Sequence, residues 1–145
     1  MDKLELKVRK LHPDAVIPQY AKESDAGLDL YAVEDFAILA GERYSARTGI
    51  SIELPRSYEA QIRPRSGIAS KYGITVLNTP GTIDSGYRGE VIVILINHSN
   101  LAYEVKKGDK IAQMVINKHE IVDIIESEEL SESERGSGGL GSTGR

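Results

Sequence analysis

The chain has 145 residues, a length typical of one domain with a real core, and carries 18 Lys and Arg against 22 Asp and Glu, a net charge of −4. It has no Cys, which excludes disulfides and thiolate metal sites, and it lacks the overall basic field of a nucleic-acid binder. Any anionic ligand must therefore be held by local cations.

The opening "MDKLELKVRK" sets Leu4, Leu6 and Val8 among charges. That alternation predicts a strand and not a signal peptide. No later stretch is apolar for long enough to span a bilayer, so no membrane partner is expected; the absence of Cys fits a cytoplasmic protein, and the net charge of −4 predicts no nucleic-acid partner. "DAGLDLYA" (Asp25–Ala32) places two carboxylates four residues apart, across an Ala-Gly turn that leads into a strand. Leu28 and Leu30 alternate with Asp29, so on its own the stretch reads as a turn carboxylate followed by a solvated strand residue. The turn signal "LAGE" follows. Ile50, Ile52 and Leu54 then mark another strand, "LPRS" another turn, and Ala60 and Ile62 a further strand.

"RPRSGIASKYG" (Arg63–Gly73) predicts a helix of about two turns, capped by Ser66 and ended by Gly73. A helix N-terminus beside Arg65, Ser66 and Gly67 suits an anion; it is equally an ordinary capped helix with surface arginines. "NTPGTIDSGYRGEV" (Asn78–Val91) reads as a hairpin-like loop, in which Gly81, Gly86 and Gly89 allow tight turns and close ligand approach. Asp84 there could serve as a general base for water, and Tyr87 could lie against a sugar. Asp-Ser-Gly is also common turn chemistry.

"EVIVILIN" (Glu90–Asn97) predicts a strand covered on both faces. "KKGD" turns into "KIAQMVINK", where Gln113 is a polar residue in an apolar run, read as an edge-facing hydrogen-bonder. "EIVDIIES" is expected to be one more strand. His12, His98 and His119 lack metal-ligand spacing. Many short strands with regular turns predict an all-β sandwich or jelly roll.

After Ile125 comes "ESEELSESE", whose five acids predict a solvated linker, and then "RGSGGLGSTGR" with five glycines. The expected organisation is a β domain over 1–125, an acidic linker over 126–134 and a glycine-rich arm over 135–145. The linker spans about 30 Å when stretched, so the arm could reach a distant site or another subunit.

Taken together, "AGLDLYA", "PRSGIASKYGI", "NTPGTIDSGYRGE", "GDKIAQMV" and "RGSGGLGSTG" occur in the order and at the spacing of the five motifs of the trimeric dUTPases, and the resemblance covers nearly the whole chain. It implies a distorted jelly roll with one short helix and a flexible C-terminal arm. It also implies a homotrimer with active sites shared between subunits, and Mg²⁺-assisted hydrolysis of dUTP to dUMP and pyrophosphate. By that resemblance Asp84 is the base for the attacking water. Tyr87 stacks on the deoxyribose and excludes a 2′-hydroxyl. Asn78 and the backbone around Gly81, Thr82 and Ile83 read uracil. Arg65, Ser66, Gly67 and Gln113 hold phosphates, and Asp29 supports the metal through water. Arg135, Gly141, Ser142 and Thr143 grip the γ-phosphate end.

One position departs from the pattern. Leu140 stands where the family usually has an aromatic ring to stack on uracil. Two rivals share the resemblance. One is a dCTP deaminase of the same fold, whose general-base Glu lies on the strand after the hairpin; Val91 to Asn97 holds no carboxylate. The other is a non-catalytic nucleotide-sensing protein using the same pocket.

Overall fold

The computed structural model describes residues 3–144. Eleven strands and one helix follow in order: β1 (Lys7–Lys10), β2 (Gln19–Tyr20), β3 (Leu28–Tyr31), β4 (Phe36–Ile38), β5 (Arg43–Glu53), β6 (Tyr58–Arg63), α1 (Ser66–Tyr72), β7 (Ile74–Val76), β8 (Gly81–Ile83), β9 (Glu90–Asn97), β10 (Tyr103–Val105) and β11 (Lys110–Lys118). They form a four-stranded sheet β1-β5-β9-β7, a five-stranded sheet β2-β3-β11-β6-β8 and a small ribbon β10-β4. Every pairing is antiparallel. This is the expected all-β jelly-roll sandwich.

The alternation seen in sequence builds the core. Leu30, Ile50, Leu95 and Met114 are each fully enclosed, together with Ile38, Ile74 and Ile111. Burying such side chains stabilises the fold by about 1.5–3 kcal/mol apiece. Asn97, wholly buried on β9, ties loops to the core: its amide donates to the carbonyls of Ile38 (2.9 Å) and Leu101 (2.7 Å).

Several expectations are corrected. The hairpin-like loop is not a hairpin: β8 pairs with β6, whereas β9 pairs with β5 and β7. Residues 84–89 therefore carry the chain from one sheet to the other. The continuous apolar run of β9 is covered on one face only. Val91, Val93 and Leu95 are buried, but Ile92 is 38% exposed and Ile94 and Ile96 are half-buried. Ser66 does not cap α1. It is the first helical residue, and Arg65 occupies the cap position without a side-chain cap bond. Gly73 does end the helix, with φ of 68°, in the left-handed region that glycine tolerates best.

"EIVDIIES" forms no strand. Ile121, Val122, Ile124 and Ile125 stand exposed, because β-branched residues take up a ladder only where a neighbouring strand offers one. From Glu120 onward the side chains face solvent throughout, with Gly138 alone half-covered among the described residues.

Candidate functional site

The sheet-switching segment 84–89 and the start of β9 enclose a cleft of about 210 Å³. Thr82, Ile83, Asp84, Tyr87, Glu90, Val91 and Ile92 line it. Asp84 leaves β8 with its side chain exposed, and its carbonyl accepts the Tyr87 N–H at 3.1 Å. The Tyr87 hydroxyl donates to the Glu90 carbonyl at 2.8 Å. The ring lies on the backbone of Gly89, where a Cβ would meet the phenolic oxygen. Arg88 holds the same turn from the other side. Its guanidinium donates to the carbonyls of Ser85 (2.6 Å) and Tyr87 (3.2 Å) and pairs with Glu53 at 3.3 Å. Asn78 folds over Gly81, whose added Cβ would lie 3.3 Å from the Asn78 Nδ2.

A second cleft, of about 330 Å³, lies at the ends of β3, β6 and β11. Asp25, Gly27, Asp29, Arg65, Ser66, Gly67, Lys110 and Gln113 are among its walls. Alternation alone makes Asp29 a solvated residue, but it is 8% exposed. Its Oδ2 faces Lys110 Nζ at 3.1 Å and its Oδ1 faces Arg65 Nε at 3.8 Å. A carboxylate can be buried there because two cations answer it. Gln113 sits on β11 between β3 and β6, not at an edge. Its amide donates to the Pro64 carbonyl at 2.9 Å and crosses the space beside Gly27, which a Cβ would fill. The space above Gly67 is open.

Sequence reasoning misses Lys110, although it lies within "GDKIAQMV". Simple alternation puts residues 110 and 113 on opposite faces. The register shifts between Lys110 and Ala112, and this β-bulge turns Lys110 into the cleft with Gln113.

The predicted residues thus collect into two groups, not one. By register, Ile83 lies opposite Ala60, and Gln113 opposite both Asp29 and Arg63. Strand spacings put Asp84 roughly 13 Å along the sheet and about 14 Å across it from Asp29. The arm residues Arg135, Leu140, Gly141, Ser142 and Thr143 meet neither cleft. Among the described residues, the hydrogen bonds of 121–144 are all internal, such as Arg135 Nε to the Gly138 carbonyl at 2.7 Å.

Glu90 bears on the deaminase alternative. The strand after the corner begins at Glu90, so it does carry a carboxylate. That group, however, accepts from Arg47 Nε at 3.2 Å and from the Gly49 N–H at 2.9 Å, which leaves it engaged rather than poised as a base.

Comparison with known proteins gives a consistent picture. The family model described as dUTPase matches residues 14–144. A deoxyuridine 5′-triphosphate nucleotidohydrolase of Clostridium tetani is 58% identical over the whole of both chains. One from Nautilia profundicola is 57% identical, over 98% of this chain and 100% of that protein. Among solved structures, a Staphylococcus bacteriophage 80alpha dUTPase with dUPNHPP superimposes with a TM-score of 0.91 at 27% identity, covering 97% of this chain and 99% of that one. A mutant dUTPase from phage phi11 of S. aureus, described as coordinating a structural Mg(II) ion, gives 0.82 at 25% identity, covering 88% and 99%.

Proposed function

The chain belongs to the dUTPase family, and from that premise we propose how its residues act. It is a dUTP diphosphatase, which hydrolyses dUTP to dUMP and pyrophosphate. In our reading, the cleft around Tyr87 receives the deoxyuridine. Asn78 and the backbone of Gly81, Thr82 and Ile83 meet the uracil edge, and the Tyr87 ring closes on the sugar where a 2′-hydroxyl would sit. The Asp84 carboxylate takes a proton from water and directs the oxygen at the α-phosphorus. A P–O bond forms there as the bond to the bridging oxygen breaks, and pyrophosphate leaves in line. Arg65, Ser66, Gly67 and Gln113 hold the phosphates, with Lys110 beside them.

One observation carries the shared-site reading. Within one copy, Asp84 lies too far from the Arg65 cluster for both to serve one α-phosphorus. The completed site then joins the nucleoside cleft of one copy to the phosphate cleft of another, and a closed homotrimer supplies that join three times over. The arm fits the same arrangement: its side chains are open, and its linker is long enough to cross to a neighbour. Arg135, Gly141, Ser142 and Thr143 then close on the terminal phosphate, and Leu140 covers the base. Ordering that arm costs roughly 1–2 kcal/mol per residue, so it should settle only once the nucleotide is bound.

The donor set also fits Mg²⁺. Among the described residues no three His, Asp or Glu side chains gather, and both Asp29 oxygens already face cations. Such a site would suit an ion carried in by the nucleotide's phosphates, which Asp29 would support through water. When bound, the ion neutralises charge on the phosphate oxygens. No helix among the described residues is long and apolar enough to cross a membrane, and we place the enzyme in the cytoplasm, where it would keep uracil out of DNA and supply dUMP for thymidylate synthesis.

The test is pyrophosphate release across the deoxynucleoside triphosphates with Mg²⁺. Turnover of dUTP that is lost in Asp84→Asn supports the assignment. Untouched dUTP, ammonia release from dCTP, or full activity in Asp84→Asn would overturn it.

A further inference from the structure

Tyr87 is not simply placed in the cleft by the turn that carries it. Its hydroxyl is tied to the Glu90 carbonyl at 2.8 Å, and its ring rests on Gly89. The ring therefore goes where the backbone of residues 89–90 goes. That backbone is fixed from outside the cleft. The Glu90 side chain, only 19% exposed, is clamped from β5: Arg47 Nε reaches both carboxylate oxygens at 3.2 Å, and the Gly49 N–H reaches Oε2 at 2.9 Å.

The clamp depends on an irregularity in β5. Between Arg47 and Ser51 the register with β9 shifts: Arg47 lies opposite Ile92, while Ser51 lies opposite Glu90. Three residues on β5 thus face one on β9. Gly49 takes a φ of 71°, which any other residue adopts at a cost. Its N–H is freed from the ladder and given to Glu90. The bulge is itself packed, since a Cβ at Gly49 would come within 3.0–3.2 Å of Val33, Ala15 and His12. Thr48 pins the facing strand by donating to the Val91 carbonyl at 2.6 Å. Arg47 also lies 4.0 Å from Glu34, so the cation is shared by two carboxylates and offers little net charge to a nucleotide.

We propose that Glu90, held by Arg47 and the Gly49 amide, is a positioning residue for sugar selection: it sets the height of the Tyr87 ring and so the margin by which a ribonucleotide is refused. This rests on the role given to Tyr87 above. Loosening the clamp lets the ring lift, which gives the 2′-hydroxyl room while the base and phosphate contacts stay in place. Glu90 borders the cleft, but its carboxylate is turned to Arg47 and the Gly49 amide and not to the nucleotide.

The experiment compares kcat/KM for dUTP and UTP, by pyrophosphate release, in the wild type, Glu90→Ala, Glu90→Gln, Gly89→Ala and Tyr87→Ala, with melting curves for each. The expected result for Glu90→Ala is a fall of about tenfold in the dUTP-to-UTP ratio, a part of the roughly hundredfold by which an apolar pocket refuses an added hydroxyl. Glu90→Gln, which keeps an acceptor for the Gly49 N–H, should recover most of that ratio. Gly89→Ala, which leaves the clamp intact but pushes the ring away, should lower it as Glu90→Ala does. A ratio unchanged in Glu90→Ala, or equal losses on both nucleotides, overturns the proposal. Tyr87→Ala separates the two levels. If it leaves the ratio intact, the role of Tyr87 itself falls. If it collapses the ratio while Glu90→Ala does not, only the clamp is refuted. Should Glu90→Ala melt below assay temperature, Gly89→Ala decides, and an unchanged ratio there counts against the proposal.

Discussion

The cleft around Tyr87 and the cleft around Arg65, which the proposed site would join on one nucleotide, are built in opposite ways. The first is fixed by backbone. Its ring and its turn are set by hydrogen bonds to main-chain carbonyls and by the close fit at Gly81 and Gly89. The second is held by charge, with one buried carboxylate balancing two cations that open toward solvent. The difference matches the tasks. Selecting a base and a sugar needs shape that does not yield. Gripping a phosphate chain needs positive charge that can shift toward an incoming anion. On the proposed reading neither cleft would suffice alone, since shape without charge cannot activate phosphorus and charge without shape cannot choose a nucleoside.

Breaking the first cleft at its reactive group should have the largest effect. Asp84→Asn is expected to lower kcat by about 10²–10⁴-fold, the usual contribution of a positioned base. KM should change far less, because the phosphate grip lies elsewhere; stopped assays of pyrophosphate check both. The separation of the two clefts can then be tested directly. Asp84→Asn and Arg65→Ala proteins, each inactive alone, should regain activity when refolded together. In a three-membered ring each mixed assembly has one junction with both groups intact, so an equal mixture reaches about a quarter of wild-type activity. No recovery would mean that both groups serve one site within a single copy.

A smaller effect belongs to the charged cleft. Gly27→Ala puts a Cβ where the Gln113 amide lies and should turn that amide away from Pro64. KM for dUTP should rise about tenfold at nearly constant kcat, through loss of one hydrogen bond to a charged group. Leu140→Phe sharpens the comparison from the arm's side: base–aromatic stacking is worth about 1–3 kcal/mol, so KM should fall about fivefold with turnover kept. An unchanged KM would show that Leu140 does not meet the base. The smallest effect concerns Tyr103, on β10 against the ring of Tyr72 from α1. Burial, then Asp109 and Tyr72, raise its phenol above the usual 10.0, against a small opposing effect of Arg65. The folded form therefore holds its proton longer than the unfolded chain does. Stability from this group is full below about pH 10 and lost as pH rises beyond it. Tyr103→Phe should melt with less alkaline loss than the wild type, as read by circular dichroism.

Much of this is legible in the sequence, for identifiable reasons. Period-two alternation finds β3, the end of β5 and β6, because Leu28, Leu30, Ile50, Ile52, Ala60 and Ile62 all face the core. The motifs locate both clefts because glycine, arginine and acid spacings survive whatever the strands do. Three things are not legible. Asp29 looks solvated because alternation says which face a residue takes, not what lies across from it; Arg65 and Lys110 come from distant chain positions. Lys110 is hidden by a bulge that resets the period. "EIVDIIES" has strand composition without a strand partner in its own copy, and composition alone cannot supply one.

The passage of residues 84–89 between the two sheets has a thermal consequence. Asp84 hangs from one layer of the sandwich, and Glu90, with the ring it tethers, from the other. Any sliding of one layer over the other on warming is felt at that crossing. Fidelity toward the sugar should then fade some degrees before the protein melts, so that the rate of error on UTP serves as an early thermometer of how firmly the two layers are joined.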